Sequence, residues 1–130
     1  MSVVGSTHKC SLVDIESLGL KFAHADYVID CVDFVVVVEE TEKSKLNDVD
    51  ALENTVEWVL SNRPAMSRLK VYAVVHHHGA ADPYMPKALM SRMQSARRRG
   101  RDVIYWCTRC RSRAELVGII NSKFNLSITL

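Results

Sequence analysis

The sequence predicts an α/β fold in which a mixed five-stranded sheet carries helices on both faces. Two observations support this fold class. Residues 34–38 form a continuous run of Phe and Val, which is typical of a central strand buried on both faces. After that run, strand and helix patterns alternate, which indicates parallel crossover connections. The 130 residues suit one domain, and we expect that domain to span residues 1–130.

The first half of the chain reads as a strand meander followed by a helix. Strands are predicted at residues 9–15, 25–30 and 34–39, with a tight turn at 31–33. Apolar residues then recur at helical spacing from Val49 to residue 60. Asn47 and Asp50 fit a capping position before this helix.

The second half alternates strand and helix twice more. A fourth strand is predicted at residues 69–75, and the dipeptide Asp82-Pro83 opens a second helix that Gly100 ends. A fifth strand covers residues 102–106. The sequence from Ser112 to Glu115 is a capping box for the last helix.

Charge is unevenly distributed along the chain, although the net charge is only +2. Residues 1–58 hold 4 basic and 12 acidic residues, whereas residues 59–130 hold 13 basic and 3 acidic residues. This split indicates an anionic partner, or cation binding by one half and anion binding by the other. Alternatively, the two halves neutralise each other within the packed fold.

Two acidic residues mark one end of the predicted meander. Asp26 begins the second strand and Glu39 ends the third, at similar distances from the turn between them. An antiparallel pairing therefore predicts that the two carboxylates lie side by side. Adjacent carboxylates repel each other unless a cation lies between them, and their oxygen atoms suit Mg²⁺ or Mn²⁺. The alternative is a solvated strand end.

The order strand–Asp–strand–Glu–helix–strand–helix–strand resembles the restriction-endonuclease-like superfamily, the PD-(D/E)XK nucleases. That group includes Holliday-junction resolvases and many archaeal and viral relatives. The matching stretch runs from Asp26 through Glu39-Glu40-Thr41 into residues 48–52, and the architectural likeness covers residues 9–124. The resemblance implies a metal site at Asp26 and Glu39, with Glu40 beside them.

The chain departs from the family pattern at a catalytic position. In the family, a lysine two residues after the glutamate orients the attacking water, whereas this chain has Thr41 there. Lys43 or Lys45 could reach back to replace that lysine. The register could instead be Glu40-Thr41-Glu42, or the protein has kept the fold and lost catalysis.

Arginine dominates residues 92–113, where Asp102 is the sole acidic residue. Guanidinium groups bind phosphate oxygens in pairs, so this stretch predicts contacts to a nucleic-acid backbone. Cations at the end of a helix also stabilise its dipole, which is the structural alternative. The candidate residues are Arg92, Arg97, Arg98, Arg99, Arg101, Arg109, Arg111 and Arg113.

Three histidines are accessory candidates. His76 and His78 share a face at the end of a strand, where a metal could bridge them, and His24 lies two residues before Asp26 as a proton carrier or ligand. Each also reads as an ordinary polar loop histidine.

The four cysteines allow two interpretations. Cys107 and Cys110 have the spacing of half a zinc site, but a second ligand pair is missing, so we do not expect zinc there. Cys10 and Cys31 are expected to be core thiols or one disulfide. Intracellular disulfides are typical of hyperthermophiles.

The sequence therefore predicts a cytoplasmic, metal-dependent nuclease that binds duplex or branched DNA, acts as a homodimer and has no membrane segment. The resemblance supplies the reaction, which is phosphodiester hydrolysis with Mg²⁺ or Mn²⁺. Two alternatives stay open. One is a catalytically inactive nuclease-like protein that binds DNA or serves in assembly. The other is an oligomeric structural or regulatory protein without a nucleic-acid partner.

Overall fold

The computed structural model describes residues 8–31, 33–62 and 69–130. Its elements, in chain order, are β1 (His8–Lys9), β2 (Ser11–Asp14), a 3₁₀ helix (Ile15–Leu18), β3 (Tyr27–Asp30), β4 (Phe34–Thr41), α1 (Leu46–Asn62), β5 (Lys70–His77), α2 (Met85–Arg98), β6 (Val103–Arg109), α3 (Arg113–Phe124) and β7 (Ile128–Thr129). Among the helices in these ranges, none is long and apolar enough to cross a lipid bilayer.

The main sheet has the strand order β2-β3-β4-β5-β6. Strand β3 pairs antiparallel with β2 and β4, and β5 pairs parallel with β4 and β6. The predicted mixed five-stranded sheet is thus confirmed. A second, two-stranded parallel sheet of β1 and β7 was not predicted, because two-residue strands carry no periodic signal.

The two faces of the sheet are covered by different helices. Val35 and Val37 of β4 pack in one apolar cluster with residues of α1 and α2. Val36 and Val38 pack in a second cluster with Leu116 and Ile120 of α3. Strand side chains alternate between faces, so the all-apolar run of β4 places that strand at the centre of three layers, as predicted.

The helix boundaries differ from the expected ones at two N-termini. Helix α1 begins at Leu46, and the Lys45 amide donates to Asp48 Oδ2 at 2.7 Å, so Asp48 and not Asn47 or Asp50 binds the first-turn backbone. Helix α2 begins at Met85, three residues after Asp82, with Pro86 in its first turn. Ser112 caps α3 as expected, since Glu115 N donates to Ser112 Oγ at 3.1 Å, but the Glu115 side chain accepts from the Arg111 amide and not from the Ser112 amide of a complete capping box.

A disulfide joins Cys10 to Cys31. Their pairing follows from the register of β2 and β3, in which Ser11 faces Asp30, so the next pair outward is Cys10 and Cys31. Of the two possibilities that the sequence left open, the structure has the disulfide.

One edge of the sheet collects the ends of its parallel strands. Glu39 of β4 is level with Val75 of β5 and Cys107 of β6, and Thr41 is level with His77 and Arg109. We call this the carboxyl edge and define it by residues 39–41, 75–77 and 107–109. In open α/β sheets such an edge is the usual place for ligands.

Gly79 allows the chain to turn back closely at the carboxyl edge. Its amide donates to the Glu42 carbonyl at 2.6 Å, and a Cβ atom on Gly79 would lie 2.9 Å from that same oxygen. We expect Gly79→Ala to lower the free energy of unfolding by about 1–3 kcal/mol, because a backbone oxygen cannot move aside without losing its hydrogen bond.

The matched control is Gly118→Ala in α3, where a Cβ atom meets no other atom within 4 Å. Alanine is the better helix former there, so we expect a gain of about 0.5–1 kcal/mol. Urea unfolding of both variants measures the difference. Equal stability changes in the two variants would contradict the close approach at Gly79.

Candidate active site at the carboxyl edge

Asp26 and Glu39 lie beside each other at the end of the β3–β4 hairpin. The antiparallel register pairs Tyr27 with Val38, so one step further brings Asp26 opposite Glu39. Asp26 Oδ2 accepts a hydrogen bond from Glu40 N at 2.6 Å, which fixes the carboxylate against β4. The expected side-by-side arrangement of these two carboxyl groups is present.

Asp48 is a third carboxyl group at this position. It lies in the first turn of α1, and its carboxyl group is within hydrogen-bonding reach of Glu39. In the sequence, Asp48 reads only as an acid at a helix N-terminus. The signal that could have found it is its position four residues before buried Leu52, which puts both on the helix face toward the sheet. We call Asp26, Glu39 and Asp48 the carboxyl cluster.

Glu39 is the central member of the carboxyl cluster and its most perturbed acid. Burial, together with hydrogen bonding to Asp26 and the negative charges of Asp26 and Asp48, raises the pKa of Glu39 to about 10. Glu39 therefore retains its proton at neutral pH when no cation is bound. A cation that enters the cluster would take over the role of this proton.

The donor set of the carboxyl cluster fits a hard divalent cation. Carboxylate oxygens are the ligands that Mg²⁺ and Mn²⁺ prefer. Within residues 8–31, 33–62 and 69–130, however, no three His, Cys, Asp or Glu side chains are already arranged around one point as metal ligands. The cluster is connected through the Glu39 carboxyl group, so cation binding would require Glu39 to lose its proton and its neighbours to close in.

The side chains of the residues expected near the attacking water form no described hydrogen bond or ion pair with the carboxyl cluster. Thr41 Oγ1 donates to the Lys43 carbonyl at 2.9 Å. Lys45 contacts Asp48 through its backbone amide. In the part of the chain that the structure describes, no ion pair joins the ammonium group of Lys43 or Lys45 to a carboxylate. The position of the family's lysine is therefore not filled by either residue.

Glu40 belongs to the opposite face of the sheet, so it does not join Asp26 and Glu39 as the expected third ligand. Strand side chains alternate, and Glu40 follows Val36 and Val38 toward α3. Arg113 Nε donates to Glu40 Oε1 at 2.7 Å, and the guanidinium group lies 4.3 Å from the centre of the Tyr27 ring. Glu40 contacts Asp26 through its backbone amide and not through its carboxyl group.

The accessory histidines separate into two places. The His24 imidazole lies 3.7 Å from Glu16 and 2.8 Å from the Ala25 carbonyl, and neither contact involves Asp26. His76 and His78 do share a face, with ring centres 4.7 Å apart. His76 is buried, which lowers its pKa, and its Nδ1 atom lies 3.9 Å from Glu40 Oε1 without a hydrogen bond.

The thiols of the Cys-x-x-Cys sequence point to different faces of the sheet. Cys107 packs against the cluster that contains α1 and α2, whereas Cys110 is buried in the cluster that contains α3. Burial raises the pKa of both thiols, that of Cys110 to about 11.

Half of the eight candidate arginines form ion pairs within the chain. Arg92 binds Asp50 and Glu53 of α1. Arg99 and Arg101 share Glu57. Together with the Arg113–Glu40 pair, these contacts show that the acidic and basic halves neutralise each other in part.

The other four arginines have no carboxylate partner among the described residues. Arg97 and Arg98 end α2, and Arg109 and Arg111 lie where β6 passes into α3. All four are exposed. Arg109 lies at the carboxyl edge and Arg111 lies just beyond it, so both are available to an anion there.

No protein-family model matches the sequence, and neither a curated protein nor a solved structure matches the chain. The function is therefore proposed from the geometry of the carboxyl edge.

Protonated Glu39 gives the metal-free protein a characteristic pH dependence. The native carboxyl group holds a proton that the unfolded chain releases above its ordinary pKa of 4.5, so the free energy of unfolding falls as the pH rises from 4.5 toward about 10. We expect Glu39→Gln to make this fall shallower and to stabilise the protein at alkaline pH.

Urea unfolding between pH 5 and 9 in the presence of EDTA measures this effect. Glu42→Gln, which alters an exposed carboxyl group outside the cluster, is the control and should keep the wild-type slope. An unchanged slope in Glu39→Gln would show that Glu39 ionises normally.

Proposed function

We propose that this protein binds DNA and hydrolyses its phosphodiester bonds with Mg²⁺ or Mn²⁺, as a relative of the restriction-endonuclease-like nucleases. The observation that carries the proposal is the meeting of Asp26, Glu39 and Asp48 at the carboxyl edge of a mixed α/β sheet. The order of strands and helices supports it, because the acid-bearing hairpin precedes the parallel strands in the sequence as it does in that superfamily.

In this proposal the three carboxyl groups are held in place in different ways. Asp26 is fixed by the Glu40 amide, and Asp48 is fixed by the Lys45 amide. Glu39 gives up its proton on cation binding and then completes the set of oxygen ligands. The bound cation would activate a water molecule and neutralise charge on the phosphate. Lys43 and Lys45, on the segment between β4 and α1, add positive potential near the entering phosphate.

The free arginines supply the grip on the DNA backbone. Arg109 and Arg111 are at or next to the carboxyl edge, whereas Arg97 and Arg98 end α2 at the opposite edge of the sheet, where β6 begins, and would contact a separate part of the backbone. Arg92, Arg99 and Arg101 are assigned to structure instead, because they hold α1 against the following elements. DNA bound in this way, whether duplex or branched, should dissociate as salt concentration rises.

An intracellular homodimer is part of this proposal. Two copies would cut the two strands of a duplex. The disulfide between Cys10 and Cys31 is compatible with the cytoplasm of a hyperthermophile, where such bonds persist.

A catalytically inactive DNA-binding protein on the same fold is the second candidate. The observation that favours it is the missing lysine contact, since Thr41 donates to the Lys43 carbonyl and, among the described residues, neither lysine ammonium group pairs with the carboxyl cluster. A purely structural oligomer receives less support. The charges that would drive its self-association already pair within the chain at Arg92 and Arg101.

Cleavage of duplex and four-way-junction DNA in Mg²⁺ or Mn²⁺ tests the proposed hydrolysis. We expect Asp26→Asn and Asp48→Asn each to lower the cleavage rate at least about 100-fold, because the cation contributes several kcal/mol of transition-state stabilisation. Asp50→Asn is the matched control on the same helix, since Asp50 pairs with Arg92 outside the cluster. It should stay within about twofold of wild type, as surface substitutions usually do.

Cleavage by Asp26→Asn at the wild-type rate would contradict the site. Salt-sensitive DNA binding without cleavage in either metal would favour the inactive relative. Absence of DNA binding at low salt would favour the oligomeric protein.

A further inference from the structure

A cleft separate from the carboxyl cluster opens where β6 passes into α3. It has a volume of about 300 Å³ and is lined by His78, Arg109, Cys110, Arg111 and Glu115. Cys110 in this lining is buried in the apolar cluster that contains residues of α3, whereas Glu39 follows Val35 and Val37 toward the face of α1 and α2. The cleft is therefore a second potential binding place on the same edge.

Arg109 and Arg111 give the cleft a positive charge, which the Glu115 carboxylate offsets in part. Arg109 Nε donates to the His78 carbonyl at 3.1 Å, which holds the guanidinium group at the cleft wall and leaves its terminal nitrogens for another acceptor. Glu115 is the acid in the lining. Its Oε1 accepts from the backbone amide of Arg111 at 3.2 Å, and it caps α3 instead of pairing with a guanidinium group.

The floor of the cleft is neutral and firmly held. Cys110 is 3 % exposed, and its raised thiol pKa keeps it uncharged at neutral pH. Buried His76 bonds the Cys110 carbonyl through Nε2 at 3.2 Å and packs against the His78 ring. An anion in the cleft would thus meet two guanidinium groups, one imidazole and the N-terminus of α3, and the opposing charge in the lining is the Glu115 carboxylate, not a thiolate.

We propose that this cleft binds a phosphate monoester. A monoester has three unesterified oxygens and a charge of about −1.5 to −2 at neutral pH, so it can accept from both guanidinium groups, whereas a diester has two such oxygens and a single charge. The monoester could be the terminal phosphate of a nucleic-acid strand or a free mononucleotide. The strand-end source rests on the proposed function, and the binding of a monoester does not.

The position of the cleft suits a strand end. Arg109 lies on β6, two strands from Glu39 on β4, which is about 10 Å at the backbone. A strand that starts in the cleft would therefore reach the carboxyl cluster within a few nucleotides. Binding of the strand end in the cleft would then fix how many nucleotides from that end the bond is cut.

Titration of the full chain with methyl phosphate and dimethyl phosphate in EDTA tests the proposal. We expect methyl phosphate to bind at least about tenfold more tightly, and the Arg109→Gln/Arg111→Gln double variant to lose this preference. The Lys21→Gln/Lys87→Gln variant removes the same charge from two exposed positions outside the cleft and should keep it. Equal affinity of wild type for the two esters would overturn the proposal, and that result depends on no variant.

Metal is absent from this titration, so Asp26→Asn should bind methyl phosphate as wild type does. The titration therefore tests phosphate binding in the cleft even if the protein is not a nuclease. Competition then separates the two sources. The competitors are a 5′- or 3′-phosphorylated oligonucleotide, the same oligonucleotide with hydroxyl ends, and a mononucleotide. If the phosphorylated oligonucleotide displaces methyl phosphate at least tenfold better than either of the others, the result supports the strand end as the ligand. Equal displacement by the mononucleotide and the phosphorylated oligonucleotide supports the free nucleotide.

Discussion

The repulsion among carboxyl groups at the end of the β3–β4 hairpin is the constraint on which the candidate site depends. The hairpin register puts Asp26 opposite Glu39, and the packing of α1 adds Asp48. Three ionised carboxylates in a half-buried place would cost free energy, so Glu39 keeps a proton. The same geometry that disfavours the empty, fully ionised state favours a divalent cation, because both the proton and the cation relieve the same repulsion.

The acidic and basic residues of the two halves have two roles in the fold: some pair with each other, and some arginines stay available to a ligand. Folding brings α1 against α2 and β6, so Glu57 and its neighbours pair with arginines that are far away in sequence. That pairing neutralises part of the charge of each half within the fold. Among the arginines without a described carboxylate partner, Arg109 and Arg111 line a cleft next to the carboxyl edge, where an anionic ligand could bind them.

Much of the fold could be predicted from sequence, because burial on both faces of β4 and the helix cap at Ser112 are local signals. The β1–β7 pairing could not, since it depends on where the chain ends meet. In the site, the Asp26–Glu39 pairing follows from distances along the hairpin. Whether Glu39 or Glu40 faces Asp26 depends on the exact register, and the position of Asp48 depends on the packing of α1. The register leaves no pattern in the sequence, and the spacing of Asp48 from Leu52 indicates only the face of the helix on which Asp48 lies.

Calorimetric titration with Mn²⁺ in buffers of different ionisation enthalpy tests the carboxyl cluster most directly, because it counts the protons released on binding. At pH 7.5 the wild-type protein should release about one proton for each Mn²⁺ bound, since the cation displaces the proton of Glu39. The Glu39→Gln variant should release none. Binding of Mn²⁺ by the wild-type protein without proton release would contradict the account.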